Sequence, residues 1–206
     1  MFNSSLTSPS ASHANIAMSA ATNTSHSELR ADWEKWKKDA NPGIGEERDT
    51  AIQRLIHCLE RGEATLDLSN LKLTKLPPSM PGHITQLNVD QNQLKELPEN
   101  LPDKIEFLYA FGNPDLEQVP DRLPNSLMIL DIYSCNINKL PETWPPHMIK
   151  LDAHHNALRD YPVLMTSLPG HIHIDISVNP LNSDAFQKLD AAIKAAHYQG
   201  PTIIMM

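Results

Sequence analysis

One phrase recurs six times along this chain of 206 residues, and its spacing decides what the rest can become. The copies start at Leu66, Leu87, Leu108, Leu130, Leu151 and Ile174, in steps of 21, 21, 22, 21 and 23 residues. Each reads apolar-x-apolar-x-x-(Asn or a substitute)-x-Leu-x-x-Leu-Pro, as in Leu87, Val89, Asn92, Leu94, Leu97 and Pro98. A unit of this length holds one strand and one turn. It cannot bury its apolar side alone and must stack on its neighbours, which makes a solenoid. Such a stack offers no closed pocket for chemistry. What it offers is a long, regularly ruled surface.

The prolines narrow the architecture. There are 17 against 7 glycines, and most of those in the repeats sit at two offsets: Pro77, Pro98, Pro120, Pro141, Pro162 and Pro81, Pro102, Pro124, Pro145, Pro169. Proline fixes φ and cannot continue a helix, so the back of each coil should be extended or polyproline-like. The expected fold is an α/β solenoid, a short-repeat leucine-rich-repeat horseshoe with a parallel β-sheet on the concave face. An N-terminal helical cap and a C-terminal helix cap should close its ends. The expected division is 1–27 disordered and a candidate secretion signal, 28–63 N-terminal cap, 64–182 six repeats, and 183–206 C-terminal cap.

The flanks carry their own signals. Residues 1–27 contain no Lys, Arg, Asp or Glu, and 19 of the 27 are Ser, Thr, Asn or Ala. That composition has too few large apolar groups to offset chain entropy. Ser25 and Glu28 have capping-box spacing, and Leu29, Trp33, Trp36 and Ala40 follow at helical intervals until Asn41-Pro42-Gly43. A second helix is expected from about Glu46 to Glu60, burying Ala51, Ile52, Leu55, Ile56 and Leu59, with Gly62 past its end. Cys58 on this helix reads as a small buried filler. At the other end, Asn182, Ser183 and Asp184 offer caps for a helix with a Phe186, Leu189, Ile193, Ala196 stripe. Thr202 to Met206 is strand-like and stops on four apolar residues, an ending that suggests further chain in the parent gene product.

Within each copy the leading apolar residues alternate with outward ones, the period of a strand with one buried face. Asn92, Asn113, Asn156 and Asn179 should turn inward so that their amides satisfy backbone groups at the bend. Cys135 holds that position in the fourth copy and Leu71 in the first. Function should then lie in the outward columns. Four of the eight Phe and Tyr residues, Phe107, Tyr109, Phe111 and Tyr133, cluster there with Ile129 beside them. Such an exposed apolar patch marks an interaction site. Asp131, Asp152 and Asp175 stack in one column, where like charges favour a basic partner group. The expected partner-binding set is Phe107, Tyr109, Phe111, Ile129, Asp131, Tyr133, Asp152 and His154.

Several classes are disfavoured. A formal net charge of −8 argues against a sequence-independent grip on nucleic acid. No apolar window is long enough for a membrane span. The two cysteines do not form the stapled ends of extracellular repeats, which argues for a reducing final compartment and against a receptor ectodomain. His154, His155, His173 and Asp175 raise the question of a metal, but His173 lies in a different column from His154, so no metal site and no cofactor are expected. No catalytic constellation is visible.

The phrase Leu97-Pro98-Glu99-Asn100-Leu101-Pro102, the helical stretch with Trp33, Trp36, Arg54, Cys58 and Leu59, and the ending Asn179-Pro180-Leu181 … Tyr198-Gln199-Gly200-Pro201 resemble a known family. They look like the substrate-recognition half of bacterial type III secreted leucine-rich-repeat effectors, the IpaH/SspH-type novel E3 ubiquitin ligases; the YopM effector shares the short repeat. The resemblance implies secretion into the host cytoplasm or nucleus and recognition of a host protein. It also implies a separate C-terminal ligase domain with a catalytic Cys-x-Asp, on which the repeats would dock and which they would restrain. Here Cys58 precedes Leu59-Glu60 and Cys135 precedes Asn136-Ile137, so neither matches. The chain is therefore expected to be a non-enzymatic binding module; the alternative is a ligase-free scaffold effector of the YopM kind.

Overall fold

The computed structural model describes residues 26–40 and 43–206. The expectations for residues 1–25, for the Ser25 half of the capping box and for Asn41-Pro42 lie outside the described residues. Seven strands make one parallel sheet in strict chain order: β1 (Thr65–Asp67), β2 (Gln86–Asn88), β3 (Phe107–Tyr109), β4 (Ile129–Asp131), β5 (Lys150–Asp152), β6 (His173–Asp175) and β7 (Thr202–Ile204). The register aligns Leu66, Leu87, Leu108, Leu130, Leu151, Ile174 and Ile203 in one row. The first six members of that row are the repeat starts, so the period alone sets the pairing. The seventh strand follows Ile174 by a longer interval and belongs to the tail. In β1 to β6 the middle residue is buried and its neighbours face outward.

Behind the sheet, the leucines of each coil fill a single continuous core. In the first coil Leu66, Leu68, Leu71, Leu73 and Leu76 are all buried. Full burial of each such side chain contributes roughly 1.5–3 kcal/mol. The turn out of each strand passes through a left-handed residue: Asn70, Gln91, Gly112, Ser134, His155 or Val178. That reversal leaves backbone groups pointing inward, and the next residue answers them. Asn156 Nδ2 donates to the carbonyls of Ile132 (2.8 Å) and Ala153 (3.1 Å), while its Oδ1 accepts from Ile137 N (2.8 Å). Asn92, Asn113 and Asn179 repeat this bridging between coils.

Cys135 fits for a local reason. The third coil carries one extra residue, and this lets Leu116 N donate to Asn113 O at 3.0 Å within its own turn. The side chain at position 135 then needs no acceptor, and its thiol donates to Ala110 O at 3.2 Å. Leu71 in the first coil has no preceding coil to bridge.

The second proline of each pair closes a turn just before the strand. Its carbonyl accepts from the N–H three residues on, as in Pro102 to Ile105 (3.2 Å) and Pro124 to Leu127 (3.0 Å). The first four coils have no helix on this side, as their prolines require. The fifth differs from that expectation: its longer step is taken up by a 3-10 helix, Val163–Ser167.

Helices α1 (26–38) and α2 (Arg48–Arg61) cover the N-terminal end of the core. Trp33 is fully buried, and its indole N–H reaches Ser79 O at 2.9 Å. The buried Arg48 guanidinium lies 4.6 Å from the Trp36 ring centroid, pairs with Glu46 at 2.9 Å and donates to Trp36 O. Glu46 also accepts from Thr74 N (2.6 Å) and Oγ1 (2.7 Å), tying the cap to the first coil. Helix α2 stops at Gly62, which is left-handed as its placement suggested.

At the other end α3 spans Ser183–Ile193, and the Asn182 side chain accepts from Ala185 N at 2.8 Å. Its buried residues are Ala185 and Leu189, with Ile193 partly covered. This corrects the expected stripe: Phe186 and Ala196 are exposed, and the helix ends before Ala196. The small Ala185 side chain lets α3 sit close to the last coil, where it meets the 3-10 helix.

Candidate functional site

The outward columns of the sheet gather the expected residues on one face. Phe107, Tyr109, Phe111, Ile129, Asp131, Tyr133, Asp152 and His154 are all half-buried there, while Leu108, Ala110, Leu130 and Ile132 between them are fully buried. Register places Phe107 beside Ile129, Tyr109 beside Asp131, and Asp131 beside Asp152. The rings do more than share a face. Phe111 stacks on Tyr133 (centroids 4.7 Å apart, planes within 2°), and Tyr133 stacks on His154 (4.6 Å, 6°). The strand spacing of a parallel sheet, ~4.8 Å, is close to a ring-stacking distance, so three rings at equivalent positions form a ladder.

The charges around the ladder are unevenly answered. Asp152 receives His154 Nδ1 at 2.6 Å and Lys150 Nζ at 3.2 Å. Burial pushes its carboxyl up, but these two donors outweigh it and hold it below the ordinary carboxylate range. Asp131, one strand away, is pushed up by burial and by Asp152. Asp90 is 9% exposed, and its Oδ1 accepts from Phe111 N at 2.9 Å. Burial, with Asp131 and Asp67 adding repulsion, raises it to about 6. Asp90 was absent from the expected set. It stands in the same column as Phe111, Tyr133 and His154, and a carboxylate in line with rings was the available signal.

Asp152, His154 and Asp175 each offer one ligand atom, all within 4.8 Å of one another. This is the set among the described residues that could hold a metal; of the four residues weighed for that role in the sequence it contains His154 and Asp175, with Asp152 added and His155 and His173 left out. The Lys150 ammonium already sits on Asp152, and His154 Nδ1 is engaged by the same carboxylate. The thiols are poorly placed for nucleophilic work. Burial pushes both Cys58 and Cys135 up to about 11, which keeps them protonated at neutral pH.

Strand β7 extends the face with Thr202 and Ile204, beside His173 and Asp175. No helix among the described residues is long and apolar enough to cross a membrane.

A parallel solenoid with a bare, aromatic-acidic sheet face defines a leucine-rich-repeat recognition module. The family described as "Type III secretion system leucine rich repeat protein" matches residues 1–53. A solved Shigella effector LRR domain is 30% identical, covering 87% of this chain and 97% of that one, with a TM-score of 0.61. YopM from Yersinia enterocolitica is 33% identical over 76% of this chain and 34% of its own, with a TM-score of 0.68. The E3 ubiquitin-protein ligase ipaH9.8 of Shigella flexneri is 51% identical over 67 residues, 32% of this chain and 12% of the ligase. SspH1 of Salmonella typhimurium is 38% identical over 86 residues, again 12% of its length. The chain thus matches only a small part of those ligases. It belongs to the type III secreted leucine-rich-repeat effectors, in the repeat region of the IpaH/SspH type.

Proposed function

We propose that this chain is the target-recognition module of an injected effector and that its concave face captures a host protein in the cytoplasm or nucleus. The observation that supports this most directly is the half-exposed Phe111–Tyr133–His154 ladder with Phe107, Tyr109 and Ile129 beside it. Rings fixed by stacking contribute contact area at little entropic cost, and such residues dominate binding energy at interfaces. In a longer parent, the captured protein would be presented to a C-terminal ligase domain for ubiquitination. The chain itself carries no conjugating activity on this reading, because both thiols are held protonated.

Two measurements test it. The chain incubated with ubiquitin, E1 and E2 should form no conjugates; conjugates that vanish in Cys58→Ala or Cys135→Ala would overturn the non-enzymatic reading. In host lysate, proteins recovered by the chain should drop out for Phe107→Ala/Tyr133→Ala. Equal recovery by both would place the binding surface elsewhere. A ligase-free scaffold is the second reading, favoured by the likeness to YopM, and would differ only in what the parent does with the captured protein.

A further inference from the structure

We infer that Asp90 and Asp131, together with the ring ladder beside them, form a socket for an arginine side chain displayed by the protein partner. The inference rests on the concave-face reading above and specifies what that face recognises. Its starting point is the charge pairing along the sheet. Asp67 has Arg54 at 3.6 Å, and Asp152 has Lys150 at 3.2 Å and His154 at 2.6 Å. Asp90 and Asp131 have no cation within ion-pair distance among the described residues. Their recorded hydrogen bonds come from backbone N–H groups, Phe111 N on Asp90 and Tyr133 N on Asp131.

These two carboxylates lie where the rings are; Lys150 and His154 act on Asp131 through space, but their close contacts are with Asp152. Asp131 sits beside Tyr109 across the β3–β4 pair, and Asp90 begins the column that continues as Phe111 and Tyr133. Both are partly withdrawn from water; Asp131 raises the energy of the charge on Asp90, and Asp152 raises that of the charge on Asp131. A cation arriving here would relieve that repulsion without first breaking an ion pair. At Asp152 it would have to displace Lys150.

The chemistry favours arginine. Ring faces attract cations, and a flat guanidinium can lie against an aromatic face while its N–H fork reaches a carboxylate at its edge. A lysine ammonium is compact and strongly hydrated, so it matches a ring-and-carboxylate site less well. A metal fits poorly, since one oxygen of each carboxylate accepts from backbone and neither belongs to the three-donor cluster at Asp152. An acidic or purely apolar partner would leave the repulsion in place.

The test uses the full chain and a displayed random short-peptide library. Peptides are selected on the wild type and counter-screened on Asp90→Asn/Asp131→Asn, which keeps both side-chain shapes and their acceptor oxygens. Selected sequences should carry an arginine next to apolar residues. Replacing that arginine with citrulline, its neutral isostere, should weaken binding about tenfold or more, and the double variant should lose a similar factor. Enrichment of peptides without basic residues, or citrulline peptides that bind within about twofold, would overturn the socket. Peptides that fail on Phe111→Ala/Tyr133→Ala yet bind Asp90→Asn/Asp131→Asn as well as wild type would keep the concave face and reject the socket. If no peptide distinguishes wild type from Phe111→Ala/Tyr133→Ala, the concave-face reading falls and the socket with it. Circular dichroism on each variant confirms that the fold is retained.

Discussion

Asp90 shows how a single side chain can oppose folding and still be well placed. Its carboxyl is raised to about 6 by burial first and by neighbouring aspartates second. A raised acid binds its proton more tightly in the folded state. Its contribution to stability is therefore fully present below the ordinary aspartate range and is lost as pH rises through about 6. Asp90→Asn keeps the acceptor for Phe111 N and never ionises, so it should be more stable than wild type at pH 8 by about 1–3 kcal/mol. The gap should shrink steadily as pH falls toward 4. Urea denaturation at both pH values measures it, and a gap that does not change with pH would refute the assignment. Val178 is another locally unfavourable residue. It is β-branched, left-handed with φ 53° and 62% exposed, where glycine or asparagine would sit with less strain.

The coil's turn is the element in which the repeat's polar logic is concentrated. Asn156 bridges the backbone of two adjacent coils, Ile132 and Ile137 in the fourth and Ala153 in the fifth. Asn156→Ala would leave several buried groups unanswered and should cost about 3 kcal/mol or more. Cys135→Ala removes only a weak thiol donor and a small packing volume, and about 1 kcal/mol is expected. Chemical denaturation of the two variants side by side checks the contrast; similar losses would mean that the inserted residue of the third coil is not what spares position 135. The asparagine row, the inward leucines and the outward columns were legible because strand alternation and a fixed period survive in every copy. The 3-10 helix of the fifth coil was not, since a two-residue lengthening leaves no pattern of its own. Nor was the burial of Ala185 in place of Phe186, which depends on how closely α3 approaches the last coil. At the site, the ring positions followed from register. The pairing of Asp152 with Lys150 and His154 did not, because side-chain reach decides it.

For the molecule as a whole, the ends matter as much as the repeats. Strand β1 pairs only with β2, so α1 and α2 must cover what a preceding coil would have covered. Trp33→Ala opens that lid and should cost about 3–5 kcal/mol. Because each coil leans only on its neighbours, the loss should be local. Hydrogen exchange should show amides of β1 and β2 losing protection while those of β5 and β6 keep most of theirs. A uniform loss would mean that the stack melts as one unit. The strict chain order of the strands carries a further consequence for a protein of this kind. No segment must travel back across the sequence to find its place, and both cysteines are free, so no covalent knot holds one coil to another. Pulled from one end, such a body can pay out like thread from a bobbin; released, it can wind up again in the same order, each turn laid on the one before.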